Sequence, residues 1–166
     1  IQWIQYRLSF CREIDEVIFA TADTAENDAL ARHAEEIGLP YFRGSETDLI
    51  ARLLGAAKRF RADAIVRVTG DCPLVDPLIV DRIVGAYRAA PEQFDYFSNI
   101  SPPTFPDGMD IVVLPLRTLQ RLDAEVAKPL YREWITTTIL EHPQQFRICN
   151  LTSSIDGILH FRLTVD

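Results

Sequence analysis

The residues that could do chemistry cluster along this sequence. Asp71 stands in Thr69-Gly70-Asp71-Cys72-Pro73, directly after the apolar, β-branched run Ile65-Val66-Arg67-Val68. Such a run reads as a buried strand, and Gly70 breaks it. Asp76-Pro77 then opens a helix, with Asp76 as N-cap and Pro77 at the first helical position. A carboxylate just past the carboxyl end of a central strand lies where open α/β sheets hold their ligands. Asp71 fits two roles there: a turn residue bonded to nearby backbone N–H groups, or an oxygen ligand for a hard cation such as Mg²⁺.

Other candidates carry similar alternatives. Arg43, Ser45, Asp48 and Arg52 lie on a turn and the first turns of a following helix. Asp48 could complement the helix dipole, Ser45 could cap the helix, and Arg52 could be a solvated face residue. Asp107, Gly108 and Asp110 form a loop leading into a strand, where ordinary Asp-Gly turn chemistry applies. Arg132 and Glu133 could form intrahelical ion pairs. Arg67, inside a strand, needs a partner if buried: it could face the crevice and meet a phosphate or sugar acid, or pair with a carboxylate, and the structural ion pair is the expectation. Cys72 reads as a packing residue. His33, His142 and His160 have no metal-ligand spacing, and no Ser/His/Asp set can be argued.

The elements that position these residues follow from periodicity. Ile1, Ile4, Leu8 and Cys11 predict an amphipathic helix over 1–11, and 16–21 a short buried strand. A helix over 25–37 ends at Gly38, with Pro40 beyond it. A strand at 39–43, a helix to Phe60, the central strand and a helix over 77–89 follow; that last helix should turn Leu78, Ile79, Ile83, Val84 and Tyr87 inward. Alternating strands and helices with short connections indicate βαβ units and a parallel sheet. Beyond residue 93 the pattern changes: strands at 95–99 and 111–114 flank the proline-rich loop 101–110. Helices over 115–125 and 129–142 and strands at 146–151 and 159–165 complete a mixed sheet.

Composition sets the bounds. The 166 residues are 48% apolar and 25% charged, ordinary for one soluble domain with a real core. A net charge of −7 and a pI near 4.9 argue against a nucleic-acid partner. No apolar run approaches a membrane span and no signal peptide is visible. Three scattered cysteines make neither a disulfide framework nor a zinc site, so a reducing cytoplasm is the expected compartment. Met109 is the only methionine, and the expectation is a single domain over 1–166, incomplete at both ends.

The order and spacing of several strings resemble one family. Arg67 to Pro77 (RVTGDCPLVDP), Phe19-Ala20-Thr21, Phe42-Arg43-Gly44-Ser45, Pro106-Asp107-Gly108-Met109-Asp110, Tyr131-Arg132-Glu133 and Leu163-Thr164-Val165-Asp166 together resemble the spore coat polysaccharide biosynthesis protein F family of cytidylyltransferases. The resemblance covers nearly the whole chain. It implies a three-layer α/β/α nucleotide-diphospho-sugar transferase-like fold with a mixed, mainly parallel sheet. It implies transfer of CMP from CTP to an acidic sugar for surface polysaccharide, with pyrophosphate leaving. By the same resemblance Asp71 and Asp166 would hold Mg²⁺ and act as the catalytic carboxylates. Arg43, Ser45, Asp48 and Arg52 would lie near the nucleotide, and Asp107, Gly108, Asp110, Arg132 and Glu133 near the sugar. A homodimer is a further implication.

Three departures stand out. The family's opening strand and phosphate-binding loop have no counterpart here, Val112 stands where Glu is expected, and Trp134 where His is expected after Arg-Glu. Two rival functions follow: a glycosyltransferase of similar fold, or a degenerate domain kept for binding or dimerisation. Pro73 stands where a glycosyltransferase would carry its second metal carboxylate, which counts against the first.

Overall fold

Two side-chain caps start the longest helices of this chain. The Asp48 carboxylate accepts the Ala51 N–H at 2.9 Å, and the Asp76 carboxylate accepts the Leu78 N–H at 2.8 Å, with Pro77 supplying a preset φ at the first helical position. The computed structural model describes residues 1–155 and 158–165. In chain order the elements are α1 (Gln2–Leu8), β1 (Phe19–Ala22), a 3₁₀ turn (Ala25–Asn27), α2 (Asp28–Glu36), β2 (Tyr41–Gly44), α3 (Leu49–Phe60), β3 (Ala64–Arg67) and α4 (Pro77–Ala89). They continue with β4 (Tyr96–Ser98), β5 (Val112–Pro115), α5 (Leu116–Glu125), α6 (Pro129–Glu133), α7 (Ile135–Leu140) and β6 (Ile148–Asn150). The chain forms two compact units, one of Ile1–Glu16, Val66–Leu114 and Phe146–Asp166, the other of Val17–Ile65 and Pro115–Gln145.

In the second of these units β1 and β2 pair in parallel, from Phe19 opposite Tyr41 to Ala22 opposite Gly44. Parallel neighbours need a crossover, supplied here by α2. Gly38 closes α2 at φ 66°, and the Leu39 N–H returns to the Ala34 carbonyl at 2.8 Å. Ile50 and Leu54 of α3 and Leu119 and Leu122 of α5 are buried in this unit's core.

In the other unit the central sheet runs β3-β5-β4-β6. β4 pairs antiparallel with β5 and parallel with β6, placing Phe97 opposite both Val113 and Cys149. Every residue of β4 and β5 is buried, which explains their continuous apolar runs. α4 packs on β4 through Ile79, Val80, Ile83 and Val84.

Four expectations need correction. Leu78 was expected inward but is 71% exposed; the Asp76 cap sets the phase of α4 so that the buried stripe begins at Ile79. The single helix expected over 129–142 is broken at Trp134, whose φ of −99° and ψ of 60° leave the helical region. The Thr138 hydroxyl bonds the Tyr131 carbonyl at 2.8 Å, satisfying an acceptor a continuous helix would use. The strand expected over 159–165 is a turn at Leu159–His160 followed by one isolated parallel bridge between Arg162 and Asp107. Its apolar residues Leu159, Phe161 and Val165 are exposed. Alternation there had no sheet face to cover, and β-propensity follows packing partners rather than sequence alone. The 1–11 helix is shorter than expected and buries only Leu8, while Trp3, Tyr6 and Phe10 stack edge-on at the surface.

Two substitutions on α4 test this assignment. Ile83, 1% exposed, is expected to cost about 2–5 kcal/mol as Ile83→Ala. Leu78→Ala on the same helix is expected to cost no more than about 0.5 kcal/mol. Urea midpoints of the two variants check the pair, and equal losses would refute the burial pattern.

Candidate active site

The chain leaves β3 at Arg67 and turns sharply before α4. The Cys72 N–H bonds the Thr69 carbonyl at 3.2 Å and the Val75 N–H bonds the Cys72 carbonyl at 3.3 Å. These two bonds place Asp71 at the outside of the turn, beyond the carboxyl end of the strand. The Thr69 hydroxyl holds the Asp71 carboxyl below the usual carboxylate range, with help from the Asp71 backbone N–H, the Cys72 thiol 3.8 Å away and the Arg67 charge; partial burial opposes them. Burial pushes the Cys72 thiol up, so this 2%-exposed group stays protonated and serves as a donor. Burial also lowers the Arg67 guanidinium from its ordinary value, against the Asp71 and Asp110 charges that hold it up. The direct structural ion pair expected for Arg67 is not formed among the described residues; its influence on both acids is exerted through space.

Asp110 shows the opposite shift. Burial raises its carboxyl above the ordinary range, the Asp107 and Asp71 charges add to the rise, and Arg67 works against it. Adjacent acids pushed apart in this way are a physical signature of a functional site. Asn99, buried at the end of β4, positions the loop: its Nδ2 donates to the Met109 carbonyl at 2.7 Å and its Oδ1 accepts the Ile111 N–H at 2.9 Å. Asp107 pairs with Arg162 at 3.3 Å, and its carbonyl accepts the Leu163 N–H at 2.8 Å. Asp166 lies outside the described residues.

In the other unit, the residues expected near the nucleotide are bonded to the protein itself. Arg43 pairs with Asp23 at 3.0 Å and Asp28 at 2.7 Å and donates to the Thr24 carbonyl at 2.8 Å. The Ser45 hydroxyl accepts the Asp48 N–H at 3.0 Å, and Arg52 donates to the Ser45 carbonyl at 2.9 Å. Asp48, besides capping α3, pairs with Arg132 at 2.6 Å. Arg132 also pairs with Asp123 at 2.5 Å and donates to the carbonyls of Asp123 and Val126 at 3.1 and 2.9 Å. Glu133 is exposed on α6. The structure thus joins Asp48 to Arg132, which the sequence reading had kept apart. Sequence reasoning missed Thr69, Asn99, Asp123 and Arg162. Thr69 was findable, two residues before Asp71; the other three act across separations that carry no periodic signal.

Among the described residues no group of three or more His, Cys, Asp or Glu forms a metal cage. The Asp71 environment nevertheless fits a hard divalent cation: an ionised carboxylate, a second acid whose proton affinity is raised chiefly by burial, and the neighbouring Cys72 sulfur held as a thiol.

The Asp110 shift has a testable sign. Its folded-state carboxyl binds protons more tightly than in the unfolded chain, so stability falls as pH rises through the interval between the two pKa values and stays lower above it. Asp110→Asn is expected to be more stable than wild type at neutral pH, with the advantage vanishing below about pH 4. Denaturation at both ends of that range checks it; an advantage independent of pH would overturn the assignment.

The family model described as "Cytidylyltransferase" matches residues 1–156. The spore coat polysaccharide biosynthesis protein SpsF of Bacillus subtilis (strain 168) is 26% identical over 157 residues, which cover 93% of this chain and 63% of that protein. A cytidylyltransferase structure from Leptospira borgpetersenii serovar Hardjo-bovis (strain JB197) is similar at TM-score 0.93 and 34% identity, covering 99% of this chain and 68% of that one. A CMP:2-keto-3-deoxy-manno-octonic acid synthetase complexed with CTP shares the fold at TM-score 0.64 and 16% identity, over 96% of this chain and 82% of that one. The chain spans just under two thirds of the length of two curated relatives it matches, 64% and 63%. Matched over almost all of its residues and sharing this mixed α/β fold, the chain belongs to the cytidylyltransferase family.

Proposed function

We propose that the protein transfers CMP from CTP to an acidic sugar for surface polysaccharide biosynthesis. The observation that carries this reading is Asp71, a carboxylate kept ionised beyond the end of β3 in a chain of the cytidylyltransferase family. The polysaccharide role named for the Bacillus relative supports the biological setting, and the CTP bound to the octonic acid synthetase supports the nucleotide.

In this reaction a sugar hydroxyl oxygen forms a bond to the α-phosphorus of CTP. The bond from that phosphorus to the bridging oxygen breaks, pyrophosphate leaves with the electron pair, and the hydroxyl proton passes to solvent. Alignment and charge neutralisation suffice, with no covalent enzyme intermediate. Asp71 and Asp166 are the residues that would hold Mg²⁺, which would supply neutralisation of phosphate charge. Thr69 and Cys72 keep the Asp71 oxygens oriented by hydrogen bonding. Arg43, Ser45, Asp48 and Arg52 form the nucleotide side, their backbone held by the bonds described above. Asp107, Gly108, Asp110, Arg132 and Glu133 serve the sugar in this reading, and burial raises the proton affinity of the Asp110 carboxyl.

The whole chain works as a single nucleotidyltransferase-like domain of a cytoplasmic homodimer. Among the described residues no helix is long and apolar enough to cross a membrane.

Pyrophosphate release by the intact protein tests the reading, with Mg²⁺, each common nucleoside triphosphate and a panel of acidic sugars. Release with CTP alone is expected. Asp71→Ala is expected to lower it by more than about 100-fold, since a bound cation supplies several kcal/mol of charge stabilisation. Release indifferent to Asp71→Ala would sink the metal carboxylate. Turnover of a nucleotide-sugar donor instead would establish the glycosyltransferase, and no turnover with either substrate class the binding domain that Val112 and Trp134 favour.

A further inference from the structure

Residues 162–165 form no strand, yet they are tied at regular intervals to the two loops that carry the site's acids. The Leu163 N–H bonds the Asp107 carbonyl at 2.8 Å, and the Val165 N–H bonds the Asp71 carbonyl at 2.9 Å. Arg162 pairs with the Asp107 carboxylate at 3.3 Å and bridges to Asp107 in parallel register. Between these anchors lies Gly108, at φ 94°, which L side chains rarely adopt. A Cβ there would sit 2.8 Å from the Leu163 carbonyl carbon, 3.0 Å from its oxygen and 3.1 Å from the Thr164 nitrogen. All of these are backbone atoms, so no side-chain rotation relieves the clash. The exposed apolar residues of the segment contribute little burial that would hold it otherwise.

We propose that Asp107 and Gly108 are positioning residues that seat the 162–165 segment on the Asp71 turn, so that the chain leaves Val165 beside Asp71. Resting on the proposed function, this makes the seat a support that steadies the Asp71 turn, and with it the carboxylate proposed to hold the cation. It gives the Asp-Gly pair a positioning role besides the place on the sugar side proposed above. Asp107 supplies the carbonyl and the ion pair, and the missing side chain at 108 supplies the close approach.

Amide hydrogen exchange and Mn²⁺ binding followed by electron paramagnetic resonance test it in the intact protein. Gly108→Ala is expected to speed exchange at Leu163 and Val165 by about tenfold, the factor that a left-handed alanine supplies. Exchange at Ile83 and Val113 in the core is expected to stay as in wild type. Mn²⁺ affinity is expected to fall by about 10–100-fold, the usual effect of losing outer support of a metal ligand. Asp107→Asn, which keeps the backbone carbonyl and removes the ion pair, is expected to shift both readouts in the same direction by less, and decides the matter if Gly108→Ala does not fold. Unchanged exchange at Leu163 and Val165 in a folded variant overturns the seat. Mn²⁺ affinity unchanged by Gly108→Ala but lost in Asp71→Ala overturns the support of the Asp71 turn and leaves the metal reading standing. Mn²⁺ binding indifferent to Asp71→Ala means that the metal reading has failed, and amide exchange alone then decides the seat.

Discussion

The hydrogen bond from Thr69 to the Asp71 carboxylate is the interaction on which the site's electrostatics chiefly depend, and a partly desolvated guanidinium at the end of β3 adds a smaller share. Arg67 has lost enough water for burial to lower its proton affinity, and it lies within electrostatic reach of both Asp71 and Asp110. In a medium of reduced dielectric a cation acts on both acids without touching either. The acids nonetheless diverge. Asp71 accepts hydrogen bonds from Thr69, its own backbone N–H and Cys72, so its charged form is solvated by the protein. Asp110 lacks that support, and burial prevails. A site with one acid committed to charge and its neighbour inclined to keep a proton follows from local donors, not from any difference in residue type.

The second unit solves a different problem. Arg132, mostly buried, is enclosed by two carboxylates and two carbonyls drawn from α3, α5 and the segment between α5 and α6. A planar guanidinium with five donors suits such a junction, and a lysine could not satisfy it. Because Asp48 both caps α3 and pairs with Arg132, the start of α3 and the short α6 are held by one side chain. Arg43 similarly ties the end of β2 to the loop after β1. These bonds order the backbone of the segments proposed to face the nucleotide.

Elements whose reasons are local were legible in the sequence. Asp76-Pro77 announced α4, Gly38 announced the end of α2, and the Ile65–Val68 run announced the central strand, because caps, left-handed glycines and β-branched packing act within a few residues. Asp71 was legible for the same reason, from its place between strand and helix. What failed depended on distant partners. The 159–165 run alternates well enough for a strand, but its hydrogen bonds go to residues 71 and 107. The break at Trp134 depends on a threonine four residues on bonding backward. The Arg132 junction joins residues 84 and 9 positions apart, separations that no helical or strand period marks.

The departure at Val112 takes on a physical meaning once β5 is placed. Val112 is 2% exposed in a strand whose every residue is buried, opposite Ser98 of β4. A glutamate at that position would have to be ionised away from water without a built-in cation, at a cost of several kcal/mol unless the surroundings changed with it. Valine instead extends the apolar core to the start of β5. The acid nearest in sequence is then Asp110, two residues earlier, still within electrostatic reach of Asp71 and Arg67 and oriented by the loop that Asn99 clamps. The loop that Asn99 clamps, and not β5, therefore carries the acid that feels the Asp71 and Arg67 charges.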